Sequence, residues 1–498
     1  MSEETHTPDA GTAPDAAATS QDAPLLTGAA VAHRDLRSVR GPLVVVGDAA
    51  GVGWDEFARI SVGDGAERHG LVLEVNRDLA TVQVLEGTAG LTPGGVEVRF
   101  DGQPLQVPVG DGWLGRICNG RGAPLDGGPE VTGERFAPVA GWPLNPVFRE
   151  PPDEPVLTGV SVIDGLMTLV RGQKLPIFSA AGLPHLELAT QIAAQASSQG
   201  RPFRVVFAAM GLTHPDIAFV RDRLEDRSAA GELVLLLNAA DDPVIERILT
   251  PRIALTIAED LAYEGGQDVL VIMSDMTSYA EALREVSAAR KEIPARRGYP
   301  GYLYSDLATL YERCGRVRGR DGSVTVLPVL TMPGGDITHP VPDLTGYITE
   351  GQIVLSAEVE ARGVYPPVDV LSSLSRLMRS GTGAGRTRED HRDVAAQVIA
   401  ALAQARSAAE LSELIGESAL GETDREFIEF RDAVERGLFA QRDDERRDLN
   451  DTLGRAWRAL AVLPKRELTM IPREFVDRYL PKPDTTDGAA DIPDGAEG

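Results

Sequence analysis

Three places in this sequence carry residue types that could handle phosphate or the charge that builds on it. The first is Ser179-Ala180-Ala181-Gly182-Leu183-Pro184-His185, which follows the apolar Leu175-Pro176-Ile177-Phe178 and precedes a helical pattern. A phosphate loop reads G-x-x-x-x-G-K-[ST]: its glycines admit backbone N–H groups to the phosphates, its lysine neutralises charge, and its hydroxyl holds Mg2+. Gly182 stands at the second glycine, but Ile177 occupies the first, Leu183 the lysine and Pro184 the hydroxyl position. The stretch Gly172–Gln191 thus has the outline of an ATPase loop without its chemistry. His185 has no metal-ligand partner at useful spacing and reads as the first residue of the helix.

The second place is Asp275, just past the apolar run Val269–Met273. An Asp that ends a strand beside a phosphate loop holds Mg2+, directly or through water. The same residue also suits the start of a helix, through capping and the helix dipole. With no loop lysine or hydroxyl nearby, the capping role gains. An ATPase further needs a carboxylate to orient water; after Val205–Ala208, where it would lie, the chain has Ala209-Met210-Gly211-Leu212, which reads as sheet-edge packing. The third place is Leu374-Ser375-Arg376-Leu377-Met378-Arg379, after Tyr365-Pro366-Pro367. Arginine is always charged and presents a rigid donor fork. Supplied to a phosphoryl group, often from a neighbouring protomer, it is worth about 10³–10⁵ in rate. An arginine in a loop is otherwise a surface residue. The glycines from Gly381 to Gly385 are flexible but make no phosphate fingerprint.

The scaffold for such sites is legible in outline. A chain of 498 residues exceeds one compact core and implies about three domains. Hydrophobic content of 43% and charged content of 25% are those of a globular protein, and no apolar run reaches the ~18 residues of a bilayer span. The acidic N-terminus lacks the pattern of a signal peptide. Cys118 and Cys314 give no disulfide or metal spacing, so a reducing, cytoplasmic setting is expected. A net charge of −26 argues against nucleic acid or an anionic membrane surface as partner. Part of that charge sits in two tails with no basic residue: Glu3, Glu4, Asp9, Asp15 and Asp22 at one end, Asp484, Asp487, Asp491, Asp494 and Glu497 at the other. Their Ala, Gly, Pro and Thr content predicts disorder.

Between the tails the pattern changes twice. Short strand-like runs (Val44–Val46, Gly70–Val75, Ala80–Leu85, Val96–Phe100) are separated by turns at Gly47-Asp48, Gly63-Asp64-Gly65, Asn76-Arg77-Asp78 and Pro93-Gly94-Gly95, as in a small β-barrel. A Gly- and Pro-rich connector over 106–155 follows. Apolar strands Val205–Ala208, Leu233–Leu237, Val269–Met273 and Val324–Leu327 then alternate with helical segments Leu186–Ser198, Pro215–Leu224, Pro243–Glu259 and Tyr279–Lys291. Such strands form a parallel sheet covered on both faces, with ligands beyond their C-terminal ends. Beyond Thr387 the chain is helical: Asp393–Gln404, Ala408–Leu414, Thr423–Phe439 and Arg446–Leu460. The expected division is a tail over 1–27, a barrel over 28–105, a nucleotide-binding-type domain with its connector over 106–386, a helical domain over 387–480 and a tail over 481–498.

Long stretches now carry a resemblance. VSVIDGLMTLVRGQKLPIFSAAGLPHLELATQIAAQA (160–196), AAMGLTHPD (208–216), NAADDPVIERILTPRIALTIAEDLAYE (238–264), the run 268–316, TMPGGDITHPVPDLTGYITEGQIVLS (331–356) and YPPVDVLSSLSRLM (365–378) closely resemble the B (beta) subunits of the V/A-type (vacuolar and archaeal-type) rotary ATPases. GPLVVV, DGWLGR and NGRGAPLDGGP extend it toward the N-terminus, so it covers about residues 30 to 480. The resemblance implies an α/β chain: an N-terminal β-barrel, a central RecA-like parallel-sheet nucleotide-binding domain and a C-terminal α-helical domain. It implies a non-catalytic, regulatory role, with three copies alternating with three catalytic A subunits in a hexameric head. The head sits on the cytoplasmic side of a membrane around a central stalk, is held by a peripheral stalk, and is coupled to a membrane rotor that moves protons, or sodium ions in some members. ATP or ADP with Mg2+ is bound mainly by the catalytic A subunit, at the A–B interface. Gly182-Leu183-Pro184-His185 is the form this loop takes in the B subunits. Arg376 matches the arginine finger lent to the catalytic site, Tyr347 a position bordering that interface, and Ser375 neighbours the finger. Ile415–Leu420 resembles a turn that faces the rotating stalk. Leu371-Ser372-Ser373 departs from the more usual proline-containing approach to the finger, and Ala180-Ala181 from the Gly-Ser often found before Gly182. A self-sufficient hexameric ATPase, a secretion motor or helicase, is the alternative, and it requires the loop and carboxylate that are missing here. A purely structural spacer that never meets nucleotide chemistry is a third reading.

Overall fold

The computed structural model describes residues 32–481 apart from 63–66, 94, 199, 417 and 419. Both predicted tails except Pro481, the turn at 63–65, Gly94 of the next turn and residues 417 and 419 of the proposed stalk-facing turn lie outside the described residues.

Residues 32–104 form seven strands: β1 Ala32–His33, β2 Leu36–Arg40, β3 Leu43–Val46, β4 Glu56–Val62, β5 Glu67–Asn76, β6 Leu79–Val84 and β7 Val96–Pro104. They pair antiparallel in the order β1-β7-β4-β5-β6-β3-β2. Side chains alternate between faces along a strand, which is why Val96, Val98 and Phe100 are buried while Arg99 is exposed. Their inward faces share a core of their own with Val44, Ile60, Val72 and Val82.

The connector contributes more than packing. Its segment Ile117–Asn119 is a strand, β8, which joins the central sheet. That sheet continues with β9 Ile177–Ala180, β10 Phe203–Leu212, β11 Leu233–Ala239, β12 Asp268–Ser274, β13 Ser323–Met332, β14 Gly351–Val354 and β15 Leu374–Ser375. The order along it is β15-β14-β9-β13-β12-β10-β11-β8. All neighbours pair parallel except β14 with β15. Every residue of β11 and β12 is buried. Leu235 and Ile272 face one core and Val234 and Val271 the other, so both faces are covered as the apolar runs predict. Strand β10 runs four residues beyond Ala208; Ala209 and Met210 are fully buried, so this stretch is strand rather than the loop after it.

β8 is held by one carboxylate. Asp126 accepts from Arg116 Nε at 2.7 Å and Nη2 at 3.0 Å, from Ile117 N at 3.0 Å and from Gly128 N at 2.9 Å. The Arg116 guanidinium, opposed by partial burial and aided by the two amides, holds the Asp126 carboxyl well below the usual carboxylate range. A depressed folded pKa gives stability that is complete above the unfolded value near 3.8 and is lost as pH falls through the folded value. Asp126→Asn is therefore expected to cost about 1–2 kcal/mol at pH 7, with the gap from wild type closing below pH ~4. Urea unfolding at pH 7 and pH 3 checks this; an equal loss at both contradicts it.

Helices α1 His185–Gln195, α2 His214–Ala229, α3 Val244–Glu259, α4 Met276–Ala289 and α5 Pro340–Ile348 flank the sheet. α1 ends at Gln195, earlier than the expected Ser198, because Ser197 and Ser198 pair as a short strand with Leu157 and Val156. The C-terminal region contains α6 His391–Ile415, α7 Glu422–Val434 and α8 Leu449–Leu460. The two helices expected at Asp393–Gln404 and Ala408–Leu414 are one. No Gly or Pro interrupts the intervening Ala405-Arg406-Ser407, and Ala405 and Ala408 are both buried. α8 begins at Leu449 rather than Arg446. Asp448 caps it, accepting from Asp451 N at 2.9 Å, while Arg447 donates to the Leu438 carbonyl at 2.9 Å and the Ala440 carbonyl at 2.6 Å. Among the described residues no helix is long and apolar enough to cross a membrane.

Candidate functional site

β9 delivers the degenerate loop to the C-terminal end of the parallel strands. Gly182 adopts φ +89° with open space around it. Leu183 turns inward, 6% exposed, into the core on that face of the sheet. Of the amides at 183–185, Leu183 N donates to the Ala180 carbonyl at 3.3 Å and His185 N to the Leu183 carbonyl at 2.8 Å, while proline has none. His185 opens α1 with its Nδ1 2.9 Å from the same Leu183 carbonyl. The turn thus spends internally the Leu183 and His185 amides, two of the donors that a phosphate would need.

The neighbouring positions are closed as well. Asp275 is the cap of α4: its carboxylate accepts from Thr277 N at 2.7 Å, Thr331 Oγ1 at 2.5 Å and Thr331 N at 3.3 Å. Burial pushes its pKa up, opposed by those hydrogen bonds and by His185 nearby. A capping carboxyl so occupied is a poor Mg2+ ligand, so of the two roles open to it the structure supports the cap. Gly211, where the water-orienting carboxylate would lie, has φ +70°, and a Cβ there would meet Arg247 Nε at 2.9 Å and Ser278 Cβ at 3.1 Å. Arg247 lies across the strand end, donating to Asn238 Oδ1 at 2.9 Å and to the carbonyls of Ala239 and Ala240 at 3.2 and 3.1 Å. This end of the sheet does not fit the phosphates of a Mg2+-nucleotide, and no catalytic step is assigned to it.

Arg376 lies at the other end. β14 pairs with β9 in register Ile177–Ile353 and Phe178–Val354, and with β15 in register Gly351–Ser375. Ser375 is thus level with the N-terminal start of β14, while the loop leaves β9 past Ala180. The offset is five residues, about 17 Å along the strands at ~3.3 Å each. Arg376 N donates to the Glu350 carbonyl at 3.0 Å, and its Nη1 reaches the Thr349 carbonyl at 3.3 Å. The side chain is exposed, and among the described residues this is its one hydrogen bond. Tyr347, 76% exposed on the last turn of α5, stands two residues before Thr349, and the exposed Leu374 is on the adjoining strand. The structure brings Tyr347, Ser375 and Arg376 together and keeps them apart from Gly182–His185.

A buried platform fixes Ser375. Gln173 Nε2 donates to Ser375 Oγ at 2.9 Å and to the Glu350 carbonyl at 3.1 Å, and Ser375 Oγ donates to the Thr168 carbonyl at 3.2 Å. Lys174 Nζ lies 2.7 Å from Glu350 Oε1, and Lys174 N donates to Glu350 Oε2 at 2.8 Å. Gln173, Lys174 and Glu350 carried no motif signal; their proximity to Arg376 comes from strand order alone. Gly351 permits the close approach. It has φ +138°, and a Cβ would meet the Leu374 carbonyl at 2.2 Å. Gly351→Ala is expected to cost more than ~1 kcal/mol and to dislodge the β14–β15 pair that carries Arg376. Thermal unfolding, with proteolysis after Arg376 and Arg379, checks it. An unchanged melting temperature and cleavage pattern would contradict it.

Comparison with known proteins matches three family descriptions in chain order. These are the ATP synthase alpha/beta family, beta-barrel domain, over residues 37–102; the same family's nucleotide-binding domain over 159–375; and the C-terminal domain of V and A type ATP synthase over 380–480. Among solved structures the chain is similar to the unique ATP synthase subunit NeqB from Nanoarcheaum equitans, at 35% identity and a TM-score of 0.67, covering 85% of this chain and 100% of that one. The seven-stranded unit is thus the family's β-barrel, the central parallel sheet lies in its nucleotide-binding domain, and α6–α8 belong to its helical C-terminal domain. With the three domains matched in order and a protein of known structure matched over its full length, the chain belongs to the V/A-type ATP synthase family as a B-type subunit.

Proposed function

We propose that this chain is the non-catalytic, regulatory B-type component of a rotary ATP synthase or ATPase, and that it completes a nucleotide site on a neighbouring catalytic A subunit with Arg376. The observation that carries this reading is the separation of Arg376 from the chain's own loop by most of a strand length. An exposed guanidinium with one weak bond, flanked by the exposed Tyr347 and Leu374, suits an interface and not a site within its own chain. In that interface Arg376 steadies charge on a phosphoryl group that the catalytic subunit holds with Mg2+. Ser375 and Tyr347 act as positioning residues. Alternation of the two kinds of chain in a hexameric head, contact with central and peripheral stalks, a place on the cytoplasmic face and coupling to ion movement through a membrane rotor are parts of the same proposal, which the family match supports.

The test uses both kinds of chain. This chain alone should show no ATP turnover, the catalytic subunit alone little, and the assembled head full turnover. Hydrolysis by this chain alone would return the self-sufficient ATPase. Failure of a photoreactive ATP analogue bound on the catalytic subunit to label the Arg376 region would favour a structural spacer.

A further inference from the structure

A cavity of about 380 Å3 lies in the seam between the β-barrel and helices α3 and α4. Leu71 and Leu73 of β5 line one side, Ile248 of α3 and Leu283 and Val286 of α4 the other. Trp54 and Tyr302, 75% and 37% exposed, stand at its edge. Small-molecule sites have this size and build: a mostly apolar wall of ~300–1,000 Å3 with a few convergent polar groups.

The polar groups here are incompletely partnered. Gln83 of β6 is 1% exposed, and its Oε1 accepts from Arg290 Nη2 at 3.3 Å. Gln83 Nε2 and Arg290 Nε are both buried and have no acceptor among the described residues. Reversing the Gln83 amide would set its NH2 against the guanidinium, so the choice of amide orientation does not remove the problem. Each unsatisfied buried donor costs about 1–3 kcal/mol, and two side by side call for an acceptor. The other charges on the wall bear on its kind. Arg252 and Asp306 are spent on each other at 2.5 Å and on the Tyr279 hydroxyl. Glu292, which does not line the cavity, lies 3.5 Å from Arg290 Nη1, a loose pair. Burial raises the Asp55 carboxyl, against the pull of Arg252.

We propose that this seam cavity binds a small amphipathic carboxylate, its apolar body between Leu73 and Leu283 and its carboxylate on the Arg290 guanidinium, next to the Gln83 amide. The site joins the barrel to the nucleotide-binding domain and is independent of Arg376 and of the function proposed for it. Titration calorimetry on the full chain tests it, with 4-phenylbutyrate as probe and 4-phenylbutan-1-ol as its neutral partner. The acid should bind saturably, one per chain. Arg290→Met should weaken the acid about tenfold or more and leave the alcohol unchanged. Ala140→Trp, on the exposed rim, should block both. No saturable binding of the acid up to about 10 mM (a free energy near 3 kcal/mol) would overturn the site. So would binding unchanged by Ala140→Trp, and equal weakening of acid and alcohol by Arg290→Met would overturn its carboxylate character.

Discussion

Arg376→Ala in the assembled head is expected to lower ATP turnover by about 10³-fold or more while leaving the chain's stability within ~0.5 kcal/mol of wild type. The two halves of that expectation have separate causes. The guanidinium is exposed and makes one hydrogen bond, at 3.3 Å to the Thr349 carbonyl, so its removal leaves no buried group unpaired. Its backbone N–H bond to Glu350 survives any substitution except proline. The loss therefore falls on the reaction. Arg376→Lys should recover little, because an ammonium point charge lacks the planar fork that spans two phosphoryl oxygens. Steady-state turnover and the melting temperature of the same preparations decide it. Near-normal kcat in the alanine variant would remove Arg376 from the site.

Asp268→Ala carries the largest expected effect on folding. Asp268 opens β12, and its carboxylate lies 2.5 Å from Arg171 Nε. It also accepts from Ser323 Oγ at 2.8 Å and Ser198 Oγ at 3.1 Å. The two charged side chains are 2% and 1% exposed. Arg171 keeps Glu154, 2.8 Å from Nη1, and the Asp321 carbonyl, but Glu154 is on the surface side at 31% exposure. Removing one partner of a buried pair leaves an uncompensated charge and costs about 3–5 kcal/mol. The double replacement Arg171→Met with Asp268→Leu should lose much less, because no buried charge remains. The midpoint of the first urea transition measures both, and a loss below ~1 kcal/mol for Asp268→Ala would contradict the assignment. Arg171 lies just before the Gln173 and Lys174 that hold Ser375 and Glu350, so this network also sets the platform under Arg376.

Much of this was legible from residue types at fixed spacing. Leu183 in place of a lysine and Pro184 in place of a hydroxyl are statements about side chains in a known loop, and the structure adds only how thoroughly the turn is closed. Apolar strands buried on both faces announced the central sheet by composition. What remained hidden depends on residues far apart in sequence. Arg247 covers Gly211 from 36 positions away, a distance the positions themselves give and the pattern of β10 does not. β8 is three residues inside a glycine-rich stretch, too short for any periodicity; it is a strand because it pairs with β11, and Asp126 holds its first residue. Gln83 and Arg290 meet across a domain seam. Most consequential is the placement of Arg376: the motif supplies its identity, but only strand order and register put it at the end of the sheet opposite its own loop. The continuous α6 has a simpler cause. Its middle is polar on one face, and a gap in apolar residues at a helix surface is no break in the helix.

The division of labour between chains is tested most directly by locating a trapped phosphoryl analogue. The assembled head, closed on MgADP with fluoroaluminate, should show the analogue in the loop of the neighbouring catalytic chain, within hydrogen-bond reach (about 3 Å) of the Arg376 guanidinium. Analogue bound instead against Gly182–His185 of this chain, with Arg376 a strand length away, would contradict the account.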